Sequence, residues 1–207
     1  MTTRIPLPVS GTDIKIVSGL VAASILTIFI YFLRVWRHCH SFRSTTLDEL
    51  AELVAALRER HLIISHLLDV APTEIDRRFD RKQCGEACRK AEAAVEQIQL
   101  HRLDANQIRR LSYCEQELWR QSDGLIDAIH HHPQVQKDPA VAGCVAGLKR
   151  AEEKTKDAAA AFNTSVFTYS AQASRCPKLF RWLIANDPPI VVDLVPHYSS
   201  GSEYLTN

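Results

Sequence analysis

The sequence predicts an all-α protein, in which an N-terminal transmembrane helix is followed by an antiparallel bundle of three to four long helices. The first observation is a run of eighteen uncharged residues, Ile16–Leu33. The second is that apolar residues after this run recur at alternating steps of three and four, the spacing of a helix face that packs against other helices. The third is composition, since glycine is scarce and strong helix formers dominate the middle of the chain.

The uncharged run has the length and composition of a membrane span. At a rise of 1.5 Å per residue it extends roughly 27 Å, close to the hydrocarbon thickness of a bilayer. Tyr31 and Trp36 stand near its distal end, where aromatic rings favour the headgroup level. We therefore expect an N-terminal tail over residues 1–15 and a transmembrane helix over residues 16–36 that contacts the lipid bilayer through Ile16–Leu33.

Two other kinds of helix fit this run less well. A buried core helix would need a large domain around it, whereas the rest of the chain is polar and amphipathic. A cleaved signal peptide has an apolar region of about 7–15 residues that ends in a small-residue cleavage site. This run is longer and is followed by Arg34-Val35-Trp36-Arg37-His38, so the sequence predicts an uncleaved anchor.

The charges that flank the run predict a cytoplasmic body. The N-terminal flank carries Arg4 and Lys15, and the C-terminal flank carries Arg34, Arg37 and Arg43. Basic residues concentrate on the cytoplasmic side of a span. Six dispersed cysteines agree with a reducing compartment. We expect a single-pass protein of the inner (cytoplasmic) membrane, with its body in the cytoplasm.

A first body helix is expected to begin at Thr46, because Thr46 and Glu49 fit a capping box. Pro72 ends this helix, since proline lacks an amide donor and disfavours a helical residue before it. The predicted inner face comprises Leu47, Leu50, Val54, Leu57, His61, Ile64, Leu68 and Ala71.

A second helix is expected from Thr73 to about Arg102, with its inner face formed by Ile75, Phe79, Cys84, Cys88, Ala91, Val95 and Ile98. A third begins after Asp104, whose carboxylate is placed to cap the Gln107 amide, and ends at His132-Pro133. Its inner face comprises Ile108, Leu111, Cys114, Leu118, Leu125 and Ile129. Because neither glycine nor proline separates these two helices, a single helix from Thr73 to His131 is the alternative.

The last body helix has the clearest start. Asp138 is a favourable N-cap, and Pro139 a favourable first residue. Its inner face comprises Val141, Val145, Leu148, Ala151, Thr155, Ala158, Phe162, Val166 and Tyr169, and Cys176-Pro177 ends it. The predicted bundle thus spans residues 46–176, and short links between long amphipathic helices require antiparallel packing.

Residues 177–207 are expected to form a short membrane-proximal helix and a loosely ordered tail. With four body helices, the fourth returns to the membrane side, which brings Leu179–Ile184 towards the bilayer. This apolar segment either lies on the membrane interface or caps the open end of the bundle.

Two stretches resemble signatures of the LemA family of bacterial membrane proteins. The first is Arg60-His61-Leu62-Ile63-Ile64-Ser65-His66-Leu67-Leu68, and the second is Phe162-Asn163 with Val166, Tyr169, Pro177, Leu179 and Pro188-Pro189. The resemblance covers most of residues 16–190. It departs from the family pattern at Ser65, His66 and Ser170, which indicates a divergent member. The resemblance implies an antiparallel helical bundle behind one N-terminal span. The family has no agreed enzymatic activity, so the resemblance leaves the biochemistry open.

Several cysteines and histidines are candidates for a metal or redox site. Cys84 and Cys88 share one helix face, where they could bind zinc with a distant histidine, but their spacing is not that of a zinc knuckle and both lie on the apolar face. The run His130–His132 and the segment His38-Cys39-His40 lack a carboxylate at a metal-site spacing. We expect core packing for the two thiols and helix-end electrostatics for the histidine run. The sequence predicts no catalytic, cofactor-binding or metal-binding residue.

The remaining polar residues give no enzyme signature. His61 is expected to be a core histidine with a hydrogen-bond partner, whereas Arg60, Glu59 and Asp69 are expected on a solvated face. No G-x-S-x-G motif occurs, and a net charge of +1 does not favour nucleic-acid binding.

The predicted function is that of a membrane-anchored interaction scaffold, whose helical bundle offers a surface to a protein partner and which has neither a cofactor nor catalytic activity. An exposed apolar groove that a partner helix could fill would favour this function. The alternative is a metal- or thiol-redox-sensing membrane protein that uses Cys84, Cys88 and His130–His132.

Overall fold

The computed structural model describes residues 11–73, 75, 79–98, 104–175 and 192. Within these residues every regular element is a helix: α1 (Gly11–Val70), α2 (Arg81–Glu96), α3 (Ala105–His130), α4 (Pro133–Gln136) and α5 (Pro139–Arg175). The predicted all-α class is therefore confirmed for the described residues. The predicted membrane-proximal segment Leu179–Ile184 and nearly all of the predicted tail lie outside them.

The chain divides into two units, Met1–Ser41 and Phe42–Asn207. In the first unit most of the described large apolar side chains of α1 are exposed, among them Leu20, Ile25, Leu26, Ile28, Phe29 and Ile30. By length and composition α1 is the one helix in the described part of the chain that qualifies as a candidate membrane span. A core helix would bury these side chains, so the exposure disfavours that alternative for the uncharged run.

The predicted helix start at Thr46 is wrong, because Thr46 lies inside α1. Its hydroxyl donates to the carbonyl oxygen of Phe42 at 2.9 Å, four residues back along the same helix. No glycine or proline occurs between Arg34 and Thr46, so nothing in the sequence interrupts the helix there. A threonine inside a helix commonly uses its hydroxyl in this way, and a capping-box pattern alone does not start a helix.

The second helix begins eight residues later than predicted. Asp80 is its N-cap, with a carboxylate oxygen that accepts from the Gln83 amide at 3.0 Å. The predicted face residues Ile75 and Phe79 precede the helix, although both are buried. Both belong to the apolar core, so their apolar character reflects burial in the segment before the helix and not a helical face.

Separate second and third helices are confirmed, so the single helix from Thr73 to His131 is wrong. α2 ends at Glu96, with Gln97 as its C-cap. Asp104 caps α3, and its carboxylate accepts from the Asn106 amide at 2.8 Å, one residue before the Gln107 amide that we expected.

The predicted start of the last helix is confirmed. Pro139 is its first residue, and the Asp138 carboxylate accepts from the Ala140 amide at 2.8 Å. A one-turn helix, α4, which is not among the predicted elements, fills the link after α3.

Two apolar clusters form the core of the second unit. The Phe79 cluster contains Ile64, Leu67, Leu68, Ala71, Ile75, Phe79, Cys84, Ala87, Cys88, Ala91, Leu118, Leu125, Ala128, Ile129, Val135, Val141 and Leu148. The Phe162 cluster contains Leu50, Leu53, Val54, Leu57, Ala94, Val95, Ile98, Ile108, Leu111, Ala159, Phe162, Val166 and Val192. Each cluster contains residues from α1, α2, α3 and α5.

Candidate functional site

The two thiols singled out in the sequence are core residues. Cys84 and Cys88 are both buried in the Phe79 cluster. The Cys88 thiol lies 3.8 Å from the carbonyl oxygen of His61 and 3.8 Å from a carboxylate oxygen of Glu92. Burial raises the pKa of Cys84 to about 11 and that of Cys88 to about 12, and Glu92 adds to the second shift. Both groups are therefore neutral thiols at physiological pH, which disfavours nucleophilic or metal-binding chemistry.

The histidine run sits at the end of α3, as its helix-end interpretation predicts. His130 is the last residue of α3, and His131 is the C-cap. The Gln136 side-chain amide donates to the His130 ring at 2.8 Å, and the His131 ring lies 2.8 Å from the carbonyl oxygen of Asp127. The run thus ends α3 and connects it to α4, for which His132 is the N-cap.

Among the described side chains, no group of three or more His, Cys, Asp or Glu residues is placed to hold a metal ion. The side chains of His38 and Cys39 lie outside the described residues. His40 is described, and its ring packs near that of Trp36, with the ring centroids 5.9 Å apart.

A buried charged cluster occupies the core instead, which we call the Arg60 cluster: Arg60, His61, Glu115, Trp119 and Ser122. Nη1 of Arg60 donates to Oε2 of Glu115 at 2.9 Å, and Nε2 of His61 lies 2.7 Å from Oε1 of the same carboxylate. The side chains of all three residues are only 1–2% exposed. The expected core histidine with a hydrogen-bond partner is confirmed, whereas the expected solvated position of Arg60 is wrong.

The Arg60 guanidinium has further partners in α3. It lies over the ring of Trp119, 4.6 Å from the centroid, and Nη2 is 3.4 Å from the hydroxyl of Ser122. Burial lowers the pKa of Arg60, while the attraction of Glu115 opposes that shift. An arginine in an apolar core needs a carboxylate beside it, because an unpaired buried charge strongly destabilises the fold.

The cluster separates the two apolar clusters. Along α1, Arg60 stands between Leu57 of the Phe162 cluster and Ile64 of the Phe79 cluster, and along α3 Glu115 stands between Leu111 and Leu118 in the same way. It is therefore a polar layer within the core. Its charged atoms lie out of reach of solvent, so they hold α1 and α3 together and offer no exposed group to a substrate.

Two residues of α5, Glu152 and Thr155, also carry buried polar atoms without a hydrogen-bond partner among the described residues. Thr155 is buried, and its hydroxyl has no hydrogen-bond partner among the described residues. The same holds for Oε1 of Glu152, Nε of Arg60 and Nδ1 of His61. Burial raises the pKa of Glu152, and Arg60 partly offsets that shift.

The sequence contained the signal for this layer. The residues Leu50, Leu53, Leu57, Arg60, Ile64, Leu67 and Ala71 follow alternating steps of three and four, and so do Ile108, Leu111, Glu115, Leu118, Ser122, Leu125 and Ile129. All of them are buried. Arg60 and Glu115 thus occupy core positions of their helices, and the periodicity predicts their burial although their charge alone favours a solvated position.

An open apolar groove runs between α1 and α5. Its volume is about 530 Å³, and it is lined by Leu62, Ile63, His66, Pro139, Ala140, Gly143, Cys144 and Gly147. None of these lining residues carries a carboxylate, ammonium or guanidinium group. Leu62 is 69% exposed at the edge of the groove. Gly143 and Gly147 form a G-x-x-x-G pattern, the sequence signal that could have located this surface.

Comparisons of the chain with protein-family models, with curated proteins and with solved structures give no significant match.

Proposed function

We propose that this chain is a LemA-like single-pass membrane protein that holds a helical bundle at the membrane and offers the groove between α1 and α5 to an α-helix of a protein partner. The observation that carries the proposal is the groove itself, which is apolar, free of charged side chains and edged by an exposed leucine. Anchoring would raise the local concentration of the bundle near membrane-bound partners, so a modest contact would suffice for association.

The proposed anchor is the apolar part of α1. Its large apolar side chains are more than half exposed from Leu20 to Tyr31. Exposed apolar surface on this scale is typical of a segment that lipid or another protein covers. The basic residues Arg34, Arg37 and Arg43 support a cytoplasmic body, as do the thiols in the core.

The proposed bundle is antiparallel. The Phe79 cluster combines the end of α1 with the beginning of α2, and the Phe162 cluster combines Leu50–Leu57 with the end of α2. In the same way, late residues of α3 accompany early residues of α5 in the first cluster. Neighbouring helices that meet in this order run in opposite directions.

A helix is the partner that the groove fits best. The Cβ atom of a residue placed at Gly143 would meet nothing within 4 Å, and at Gly147 it would only touch the side chain of Ile63. A partner backbone could therefore approach α5 closely, as at other small-residue helix contacts. Leu62 would then pack against the partner as an apolar anchor.

Site-specific photo-crosslinking in cells tests the proposal. A benzophenone amino acid at Leu62 should crosslink a consistent protein neighbour, whereas the same probe at Tyr113, which is 73% exposed on α3, should not. Substitution Gly143→Leu fills the groove and should lower the crosslinking from position 62 by about tenfold, the loss expected for a docking contact of about 1.4 kcal/mol.

Gly85→Leu is the matched control, because Gly85 is also a helical glycine with open space around it but lines a different, charged groove. It should leave the crosslink at position 62 unchanged. Equal crosslinking from positions 62 and 113, or a crosslink that Gly143→Leu does not weaken, would contradict the proposed docking surface.

A further inference from the structure

One side of α1 carries an open recess where the uncharged run ends, which we call the Arg34 recess. Its volume is about 670 Å³, and it is lined by Tyr31, Arg34, Val35, Arg37 and Ser41. All five residues belong to the first unit, Met1–Ser41. The recess thus combines an aromatic ring, two guanidinium groups and a hydroxyl group on a single helix.

The positive charge of this recess has no acidic neighbour in the sequence. No aspartate or glutamate occurs between Asp13 and Asp48. Arg34 and Arg37 are both exposed, and neither forms an ion pair with a carboxylate of the described residues. The two guanidinium groups are therefore available to an anion that comes from outside the chain.

The two arginines lie at the depth of lipid phosphates if Leu33, the last residue of the uncharged run, marks the edge of the hydrocarbon. A rise of 1.5 Å per residue then places Arg34 roughly 1.5 Å and Arg37 roughly 6 Å beyond this edge. The headgroup region of one leaflet is about 5–7 Å thick, so both residues lie within it. Tyr31 lies roughly 3 Å on the hydrocarbon side, close to the level that aromatic rings favour.

A phosphodiester is the anion that this arrangement fits. Guanidinium groups bind phosphate oxygens through two parallel N–H donors, and residues three apart on a helix are neighbours on its surface. Arg34 and Arg37 can therefore contact one phosphate together. A zwitterionic headgroup brings its own cation and compensates the two arginines poorly, whereas an anionic phospholipid neutralises them. Val35 and the ring of Tyr31 offer apolar surface to the glycerol and the first acyl carbons.

We propose that the Arg34 recess binds the headgroup of one anionic phospholipid, with the lipid phosphate between the guanidinium groups of Arg34 and Arg37. This inference rests on the membrane anchor proposed above, but it depends neither on the groove between α1 and α5 nor on a protein partner. A lipid bound in the recess fixes the depth and the rotation of α1 in the bilayer. It also makes the protein sensitive to the lipid composition of its membrane.

Native mass spectrometry of the full-length protein tests this site, with phosphatidylglycerol or phosphatidylcholine titrated into the detergent micelles. Wild type should bind its first phosphatidylglycerol at least about tenfold more tightly than phosphatidylcholine, and Arg34→Gln/Arg37→Gln should abolish this preference. Arg58→Gln/Arg109→Gln is the matched control, because it removes two exposed arginines of the second unit. It should keep the preference of wild type.

Two further measurements separate a lipid site from a general attraction of charges. Arg34→Lys/Arg37→Lys keeps both charges but loses the planar forks, so its preference for phosphatidylglycerol should fall severalfold. Inorganic phosphate should bind far more weakly than the lipid, since it has no acyl chains to hold it beside α1. A lysine variant with the full preference of wild type, or inorganic phosphate bound as tightly as the lipid, would overturn the proposed site.

Flotation with phosphatidylcholine liposomes distinguishes failure of the site from failure of the anchor. Protein that floats with these liposomes and yet shows no preference for phosphatidylglycerol overturns the lipid site alone. Protein that does not float with them overturns the anchor and the site together. Equal loss of the preference in Arg34→Gln/Arg37→Gln and in the control variant would also overturn the site, because the effect would then follow from net charge.

Discussion

At the scale of single residues, the Glu115 carboxylate binds two buried basic side chains, Arg60 and His61. One carboxylate oxygen pairs with Arg60 and the other with His61, so a single side chain of α3 binds two consecutive residues of α1. A buried ion pair contributes little net stability compared with an apolar core, since desolvation offsets the attraction between the charges. We infer that the pair instead sets the axial register of α1 against α3, because a slip along either helix would leave the charges unpaired.

Removal of Arg60 alone should strongly destabilise the fold. Arg60→Met leaves Glu115 without its guanidinium in the core, and we expect the free energy of unfolding to fall by about 3–5 kcal/mol. Urea denaturation of the full chain in detergent, followed by circular dichroism, measures the change. Glu59→Gln is the matched control, since the adjacent Glu59 pairs with Lys154 at the surface and its loss should change stability by about 1 kcal/mol or less.

Replacement of both Arg60 and Glu115 tests whether the two buried charges compensate each other. The double variant Arg60→Met/Glu115→Leu should recover much of the loss, because no uncompensated charge remains buried. If the double variant were as unstable as the sum of its single variants, the inference that the two charges compensate each other would fail.

The buried thiols give a pH prediction. The folded protein favours the neutral forms of Cys84 and Cys88, whose ordinary pKa is 9.0 and whose folded values are about 11 and 12. Their contribution to stability is therefore present below pH 9 and is lost as the pH rises towards 11–12. The free energy of unfolding should fall less steeply across this range in Cys84→Ala/Cys88→Ala than in wild type.

The same thiols should resist alkylation at pH 8. Mass spectrometry after a pulse of iodoacetamide should find the partly exposed Cys144 modified in the folded protein, and Cys84 and Cys88 modified only after denaturation. Modification of Cys84 or Cys88 at the rate of Cys144 would favour the alternative function as a thiol sensor.

At the scale of helices, Arg81 of α2 binds carbonyl oxygens at the end of α1. The Arg81 guanidinium donates to the carbonyl oxygens of Leu68, Ala71 and Pro72, the last two at 2.7 and 3.0 Å. The last carbonyls of a helix have no partner within it, so at Leu68 this arginine supplies a bond that α1 itself cannot make, and at Ala71 and Pro72 it binds the chain just beyond the helix. It also joins the end of α1 to the beginning of α2.

Arg81→Ala should therefore destabilise the connection between α1 and α2. We expect the free energy of unfolding to fall by about 1.5–3 kcal/mol, the range for hydrogen bonds that involve a charged group. Exchange of the Ala71 amide, which donates to Leu67 within the last turn, should become faster. Lys82→Ala serves as the control, because Lys82 is the exposed neighbour of Arg81; an equal effect of both variants would show that the carbonyl contacts contribute nothing specific.

Helix ends were predictable where a local signal exists and unpredictable elsewhere. Proline at position 72 ends α1, and the Asp138-Pro139 pair starts α5, because both act through their own backbone geometry. Thr46 failed as a start signal, since a cap needs the preceding chain to leave the helix and the sequence there does not force it to. The start of α2 at Arg81 depends on how the chain packs Ile75 and Phe79 first, which is a tertiary effect.

At the scale of the whole molecule, the exposed apolar stretch of α1 predicts membrane attachment. Paired substitutions Ile25→Lys/Phe29→Lys place two charges one turn apart on this stretch, and each opposes insertion by about 2.5–3.5 kcal/mol. We expect wild type to stay in the membrane fraction after carbonate extraction and the double variant to be released. Tyr113→Lys adds a charge at an equally exposed position of the second unit and should not release the protein; retention of the double variant would contradict the anchor.

The sequence by itself determined the helical class, the candidate span and most of the apolar faces, because these follow from composition and from periodicity along one helix. It could not locate the polar layer, the groove or the two hydrogen bonds between Asn163 and Val192. Each of these joins residues from different helices, such as Arg60 with Glu115 or Asn163 with Val192, across 55 and 29 positions of the chain. Only the tertiary structure decides which distant groups meet, because burial forces a charge or a backbone amide to find its partner wherever packing places one.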